Sequence, residues 1–243
     1  MQKFIKWNYA HRGLHNKKEN IPENSLAAFK AAAESGYGAE LDVHLLKDNS
    51  LAVIHDSSLL RTTGKEGFVE DLTHSELKNF FLEGTTETIP DFKDVLSIFE
   101  GRAPLIIELK TVGKNAAQLC KAVCDILDNY KGDFCIESFD PRCLLWLKRN
   151  RPQFLRGQLS KNFIKSPSGF GKIADFFLTS LFLNIFTRPD FIAYRYSDTK
   201  DLGFHLATKL CQKQGVVWTI TKRSDYEKAK KENYIVIFEK FKP

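Results

Sequence analysis

The chain has 243 residues and a mass of 27.8 kDa, with 43% hydrophobic, 27% charged and 12% aromatic residues. Those values exclude disorder, collagen and coiled coil as the main organisation and leave enough apolar material for a sizeable core. The net charge is +6 but uneven: residues 51–100 hold four basic and ten acidic side chains, net −6, and residues 151–243 hold 17 basic and eight acidic, net +9. Such polarity suits an anionic substrate, lipid head groups or nucleic acid, and equally a mixed solvated surface.

From the N-terminus, Met1–Gly13 offers neither an apolar h-region nor a small-residue cleavage site, so no signal peptide is expected. Short apolar runs predict strands at Trp7–Ala10, Ala39–Val43, Leu51–Ile54, Leu105–Leu109, Phe134–Glu137, Phe154–Leu159, Phe191–Tyr194, Val216–Ile220 and Tyr234–Phe238. Between most of them lie stretches with helical spacing: Leu26, Phe29 and Ala33; Leu119, Val123 and Ile126; Leu202, Leu206 and Leu210. Asp140-Pro141 reads as a cap followed by a first-turn proline, and Ser224 ahead of Asp225 and Glu227 as a second helix start. Strand–helix alternation implies a parallel sheet, doubly wound or closed into a barrel. About eight βα units in this length fit a (β/α)8 TIM barrel better, and no GxGxxG or GxxxxGK[ST] loop supports a nucleotide-binding open sheet.

Residues from about 57 to 90 break the rhythm with acids, Gly and Thr. They read as an insertion between the second and third βα units of a single domain, 1–243, too short to hold a core of its own. The apolar stretch Ile173–Phe186 is too short to span ~30 Å of hydrocarbon; it is expected to form a buried or substrate-covering helix, with membrane-surface contact the lesser option. The five cysteines form no CxxC pair, and Cys120 and Cys124 sit four apart as on one apolar helix face. A reducing compartment, the cytoplasm, is the expectation.

Polar groups collect at the ends of the first strands: His11-Arg12-Gly13, Glu40-Leu41-Asp42-Val43, His55-Asp56 and Glu108-Leu109-Lys110. Strand alternation aims Glu40 and Asp42 the same way, and likewise Glu108 and Lys110. Converging carboxylates repel without a cation, and an oxygen-rich donor set with no Cys points to a hard divalent metal, Mg²⁺ or Ca²⁺, in place of structural zinc. Arg12 and Lys110 beside that metal suit a phosphoryl group. His11 and His55, with an ordinary pKa of ~6.5, can serve as acid and base near neutrality. His44 continues the Glu40/Asp42 alternation but reads as loop-facing, and His15, His74 and His205 as surface or capping residues.

Together these stretches, with Pro22-Glu23-Asn24-Ser25, Val53-Ile54-His55-Asp56, Arg61-Thr62-Thr63, Ser138-Phe139-Asp140-Pro141 and Val217-Trp218-Thr219, resemble the glycerophosphodiester phosphodiesterase family over nearly the whole chain. The resemblance implies a (β/α)8 barrel and hydrolysis of glycerophosphodiesters to glycerol 3-phosphate and an alcohol. It implies His11 and His55 as the acid/base pair and Glu40, Asp42 and Glu108 as metal ligands. Arg12 and Lys110 would hold the phosphate and Trp218 would line the substrate pocket. Departures such as Ser25 and Leu46, where the family usually has Thr, bear on substrate selectivity. The partner expected is a small glycerophosphodiester, with no stable membrane anchor. Competing readings are phospholipase D-like hydrolysis of lysophospholipids, with Ile173–Phe186 receiving the acyl chain, and a non-catalytic phosphate-binding module. Nucleic-acid binding is disfavoured because the basic residues after 150 form no aromatic-interleaved stripe.

Overall fold

Strands and helices alternate through the computed structural model, which describes residues 1–169 and 171–243. In chain order the elements are α1 (Gln2–Ile5), β1 (Asn8–Ala10), α2 (Leu26–Glu34), β2 (Gly38–Leu45), β3 (Leu51–Val53), α3 (Leu60–Thr63), α4 (Phe92–Phe99), β4 (Leu105–Leu109), α5 (Ala116–Leu127), β5 (Phe134–Ser138), α6 (Pro141–Asn150), β6 (Arg156–Ser160), α7 (Lys172–Ser180), α8 (Asn184–Thr187), β7 (Phe191–Arg195), α9 (Leu202–His205), β8 (Gln214–Ile220), α10 (Arg223–Lys231) and β9 (Ile235–Phe238). Two compact units emerge, one formed by Tyr9–Phe134 and the other by Met1–Asn8 with Cys135–Pro243. Among the described residues no helix is long and apolar enough to cross a membrane.

In the Tyr9–Phe134 unit, β2 pairs in parallel with β1 (Ala10 opposite Ala39) and with β4 (Asp42 opposite Glu108). β3 runs antiparallel to β2, with Val53 opposite Val43, so the predicted strand at 51–54 is a hairpin return and not a barrel strand. Every residue of β2 is buried, as expected for a strand covered on both faces. α2 starts on Ser25, whose Oγ accepts the Ala28 N–H at 3.1 Å. Its inward residues are Ala28, Phe29 and Ala32, not the predicted Leu26–Phe29–Ala33 stripe; small alanines pack close and turn the helix about Phe29. That ring meets Phe99 of α4 edge-on at 6.1 Å, and each buried Phe contributes about 1.5–3 kcal/mol. On α5, Cys120 and Cys124 are buried beside Leu119 and Val123, as their spacing predicts.

Residues 57–90 contain α3 and two 3-10 turns, Val69–Asp71 and His74–Asn79. Their apolar side chains Leu59, Val69, Leu77, Leu82 and Ile89 share one cluster with Leu46, Ala52 and Ile54. The insertion thus completes its core on the β2–β3 hairpin, which explains how so short a segment stays folded.

In the other unit β5, β6, β7, β8 and β9 pair in parallel in sequence order. Asp140 caps α6 by accepting the Arg142 N–H at 2.9 Å, with Pro141 in the first turn. The cap of α10 lies two residues before the predicted one: Lys222 is the cap position and Ser224 lies inside the helix. The predicted Leu202–Leu206–Leu210 stripe is exposed. Phe204 takes the inward position instead, stacked on Tyr194 at 5.1 Å, and residues 206–210 form a π-helical turn. Ile173–Phe186 is not a buried helix either: α7 and α8 bury Asp175, Thr179 and Thr187 and expose Ile173, Phe176, Phe177, Ile185 and Phe186. Polar bonds to the loop after β6 hold the inward side and so override the hydropathy pattern.

Candidate active site

Two strands and two loops of the Tyr9–Phe134 unit build the site. On β2 the period-two alternation sends Leu41 and Val43 to one side and Glu40 and Asp42 to the other. The β2–β4 register sets Glu108 directly opposite Asp42. One oxygen each of Glu40, Asp42 and Glu108 lie within 4.8 Å of one another, and all three residues are buried. Lys110, anchored just past β4 by its N–H on the Val43 carbonyl at 3.0 Å, brings Nζ to 3.0 Å from Glu108 Oε1 and 3.3 Å from Asp42 Oδ1.

Burial opposes every charge here, and the neighbours decide the outcome. Asp42 is held well below the usual carboxylate range: burial would raise it, but Lys110, His55 and Arg12 outweigh that, aided by the Asn24 amide. Burial pushes the Glu108 carboxyl up to about 7, with Lys110 pulling it back and Asp42 adding to the rise. Burial would lower the Lys110 ammonium, yet Glu108 and Asp42 keep it above the ordinary lysine range. In these contacts the carboxylates of Glu23, Glu40, Asp42, Asp56 and Glu108 outnumber the fixed cations Arg12, Arg61 and Lys110, a balance that suits a divalent cation. Asp42 Oδ1 has no hydrogen-bond partner beyond the Lys110 ion pair. The donor set fits a hard cation.

The loop from β1 to α2 supplies the next groups. Arg12 adopts a left-handed φ of 55° and Gly13 one of 78°, so the chain reverses sharply after β1. A Cβ on Gly13 would sit 2.9 Å from Ala28 of α2, which makes glycine a steric requirement there. The turn aims the Arg12 N–H at Glu40 Oε2, 3.0 Å away. It also places the guanidinium 2.8 Å from Glu23 Oε1 and 3.5 Å from Asp42 Oδ2. Asn24 donates Nδ2–H to Asp42 Oδ2 at 2.9 Å, and His11 Nε2 lies 4.0 Å from Glu40 Oε2.

Beyond β3, His55 Nδ1 donates to Asp56 Oδ1 at 2.5 Å, leaving Nε2 free to exchange a proton. Burial pulls the His55 imidazole below its ordinary pKa, while Asp42 draws it up and Lys110 and Arg12 press it down. Asp56 Oδ2 accepts from Arg61 Nε, and Arg61 Nη2 donates to Glu23 Oε1 at 2.6 Å. Glu23 also accepts from Arg12, so one chain of charged hydrogen bonds runs from His55 to the guanidinium at the carboxylates. His44 is buried and not loop-facing: its two ring nitrogens meet Glu70 Oε1 at 2.6 Å and the His55 carbonyl at 3.2 Å.

The structure thus gathers His11, Arg12, Glu40, Asp42, His55, Glu108 and Lys110 within one unit. Trp218 belongs to the other unit, on β8, where it packs edge-on against Phe139 at 5.9 Å. Residue-by-residue reading gave no role to Glu23, Asn24, Asp56, Arg61 or Glu70. Asp56 had a signal in its adjacency to His55; the others are brought in by the fold. A cleft of about 790 Å³ elsewhere in the unit, between the β2–β3 turn (Asn49, Ser50), Asp91 and one side of α5 (Lys121, Asp125), contains none of these groups.

The model of the glycerophosphoryl diester phosphodiesterase family matches residues 11–186. A glycerophosphodiester phosphodiesterase of Caldanaerobacter subterraneus subsp. tengcongensis is 31% identical over 235 residues, 90% of this chain and 87% of that protein. One of Bacillus altitudinis is 44% identical over 109 residues, a stretch spanning 42% of this chain and 43% of that protein's length. An Oleispira antarctica phosphodiesterase, solved in complex with the product sn-glycerol-3-phosphate, is similar with a TM-score of 0.80 over 98% of this chain and 94% of that one, at 22% identity. The fold is therefore the (β/α)8 TIM barrel that the strand count predicts.

Proposed function

The chain belongs to the glycerophosphoryl diester phosphodiesterase family and is an enzyme of that class; we propose that it cleaves small glycerophosphodiesters to glycerol 3-phosphate and an alcohol, using Glu40, Asp42 and Glu108 to hold Mg²⁺ or Ca²⁺. The observation that carries this reading is the convergence of three buried carboxylates with Arg12, Lys110 and two histidines. A divalent ion there supplies positive charge to a phosphoryl oxygen.

The chain's own groups do the rest. Arg12 and Lys110 neutralise the phosphate, and neither loses its charge near neutral pH because each is held by carboxylates. One histidine takes a proton from the nucleophile, a water or the neighbouring glycerol hydroxyl, as its oxygen bonds to phosphorus; in the second case water then opens the cyclic phosphodiester to glycerol 3-phosphate. The other gives a proton to the departing alcohol oxygen as its P–O bond breaks. Asp56 keeps the His55 proton on Nδ1, so that Nε2 faces the reaction. Trp218 keeps the proposed role of lining the substrate.

The matched stretch, residues 11–186, runs through both compact units, which supports treating 1–243 as one catalytic domain. Among the described residues the five cysteines form no disulfide and four of them are buried, which supports a cytoplasmic setting. The test is glycerol 3-phosphate release from glycerophosphocholine and glycerophosphoethanolamine, with and without EDTA. Activity is expected to vanish on chelation, return with Mg²⁺ or Ca²⁺, and be lost in His11→Ala/His55→Ala. Activity that survives both the chelator and the double substitution overturns the mechanism, and faster turnover of lysophosphatidylcholine moves the substrate to lysophospholipids.

A further inference from the structure

The polarity of α7 and α8 is inverted. Asp175 and Thr179, one turn apart on α7, face inward with Thr187 of α8, whereas Phe176, Phe182 and Phe186 leave 57, 51 and 59% of their surface in solvent and Ile173 leaves 77%. The inward side is fastened by polar bonds. Asp175 Oδ1 accepts the Ser168 N–H at 3.0 Å and the Ser168 hydroxyl. Thr179 Oγ1 accepts the Phe163 N–H at 2.9 Å, and Ser160 Oγ donates to the Leu178 carbonyl at 2.9 Å. The outer rings lean on one another, Phe176 on Phe177 at 5.8 Å and Phe177 on Phe182 at 5.9 Å. α9 abuts α7, since a Cβ on Gly203 would meet the Ser180 carbonyl at 2.8 Å, and it adds exposed Leu202 and Leu206.

A helix that hides its Asp and Thr and shows its Phe and Ile is built to present an apolar face. The charges around that face select what covers it. From residue 161 to 213 the exposed Lys, Arg, Asp and Glu side chains are Lys165, Lys172, Arg188, Lys200 and Lys209, and none is acidic; Lys209 is paired with Glu232 at 2.7 Å, so Lys165, Lys172, Arg188 and Lys200 carry the charge of this face. Asp175 and Asp198 are buried, and Asp190 and Asp201 are half-buried and bonded to Arg156 and Asn162. A second copy of the same face would set these cations against their own kind. An anionic bilayer surface matches both features: head groups for the Lys and Arg side chains, acyl boundary for the rings.

We propose that α7, α8 and the flank of α9 form a peripheral docking surface for anionic phospholipid membranes. The surface binds reversibly, through rings at the head-group boundary and basic residues around them, with no segment crossing the bilayer. The inference stands apart from the reaction, because vesicle binding is read without turnover.

Co-sedimentation of the full chain with vesicles of phosphatidylcholine alone, and of phosphatidylcholine mixed equally with phosphatidylglycerol, tests it. The wild type is expected to pellet with the mixed vesicles, to do so less in high salt, and to stay largely free with phosphatidylcholine alone. Phe176→Ser/Phe186→Ser lowers the partition coefficient by about 10-fold or more. Lys172→Ala/Arg188→Ala lowers it by about 30-fold, at roughly 1 kcal/mol per basic residue. Both variants change exposed side chains, so their far-UV circular dichroism should match the wild type, and the two act through different chemistry. The proposal is overturned if the wild type ignores mixed vesicles or if both variants bind them as the wild type does. It is equally overturned if light scattering shows a dimer that Phe176→Ser/Phe186→Ser dissolves. Loss of diester hydrolysis with vesicle binding intact would refute the proposed reaction and leave this surface standing.

Discussion

Replacing Asp56 by Asn keeps its shape and removes its charge, and the hydrogen bonds around it then force a change of tautomer on His55. Asp56 has two obligatory donors to satisfy, Arg61 Nε on one oxygen and His55 Nδ1 on the other. Asn offers one carbonyl oxygen and one NH₂. The guanidinium is always charged and carries no acceptor, so it takes the oxygen and turns the NH₂ toward His55. Neutral His55 must then accept at Nδ1, which moves its proton to Nε2 and removes the lone pair a base needs there, while an imidazolium would set Nδ1–H against the amide NH₂, so either role of His55 is impaired. His55 and Asp56 are about a third exposed, at 31 and 28% of side-chain surface, so water offers a partial substitute. The loss is therefore expected in the range of positioning residues, about 10- to 100-fold in kcat, or ~1.4–2.8 kcal/mol of barrier. The assay is glycerol 3-phosphate release at saturating glycerophosphocholine and Mg²⁺. The distinguishing variant is Asp56→Asn/Arg61→Leu: with no guanidinium claiming the oxygen, the amide can rotate it to His55, and part of the lost kcat returns. A wild-type kcat in Asp56→Asn, or a double variant no better than the single, refutes the tautomer argument.

The same geometry sets three further outcomes. Gly13→Ala combines a left-handed φ of 78° with a Cβ 2.9 Å from Ala28; about 1–2 kcal/mol for the backbone and about 1–3 for overpacking should appear as a lower urea midpoint, and an unchanged midpoint would contradict the crowding. Mg²⁺ at ~100 times its Kd should raise stability by about 2.7 kcal/mol, and Glu40→Gln should abolish that rise; a melting temperature indifferent to Mg²⁺ and Ca²⁺ sinks the metal site. Burial would raise the Glu70 carboxyl, but hydrogen bonds from His44 and Ser57 hold it below its ordinary value. Its folded pKa lies below the unfolded one, so its contribution is complete above about pH 4.5 and fades as pH falls through the folded value. Glu70→Gln should flatten the acid side of the stability profile in urea titrations, and an unaltered slope would show that the bond carries no linkage.

Strand positions were legible because covered parallel strands need continuous apolar runs, and Leu105–Leu109 is β4 residue for residue. The cluster of Glu40, Asp42 and Glu108 was legible because alternation on β2 and β4 fixes which side chains share a face, whatever the distant parts of the chain do. His44 shows the limit of that logic. Its face was readable, but its partner Glu70 lies 26 residues away in the insertion, and no local pattern encodes that meeting. The chain of bonds from His55 through Asp56, Arg61 and Glu23 to Arg12 is hidden for the same reason: it joins three segments that only the fold brings together.

α7 misled the hydropathy pattern for a different reason. A periodic pattern reports two faces but not which one turns inward, and apolar burial normally decides that choice. Here the inward face is chosen by acceptors, Asp175 and Thr179, that satisfy backbone N–H groups of the loop after β6. Left unmet and buried, each such N–H costs about 1–3 kcal/mol. Turning Phe176 and Ile173 inward would recover apolar burial but carry Asp175 and Thr179 out to water and leave those donors without their acceptors. The helix therefore settles polar side in, and the rings it leaves outside are the consequence of a loop that needed acceptors beneath it.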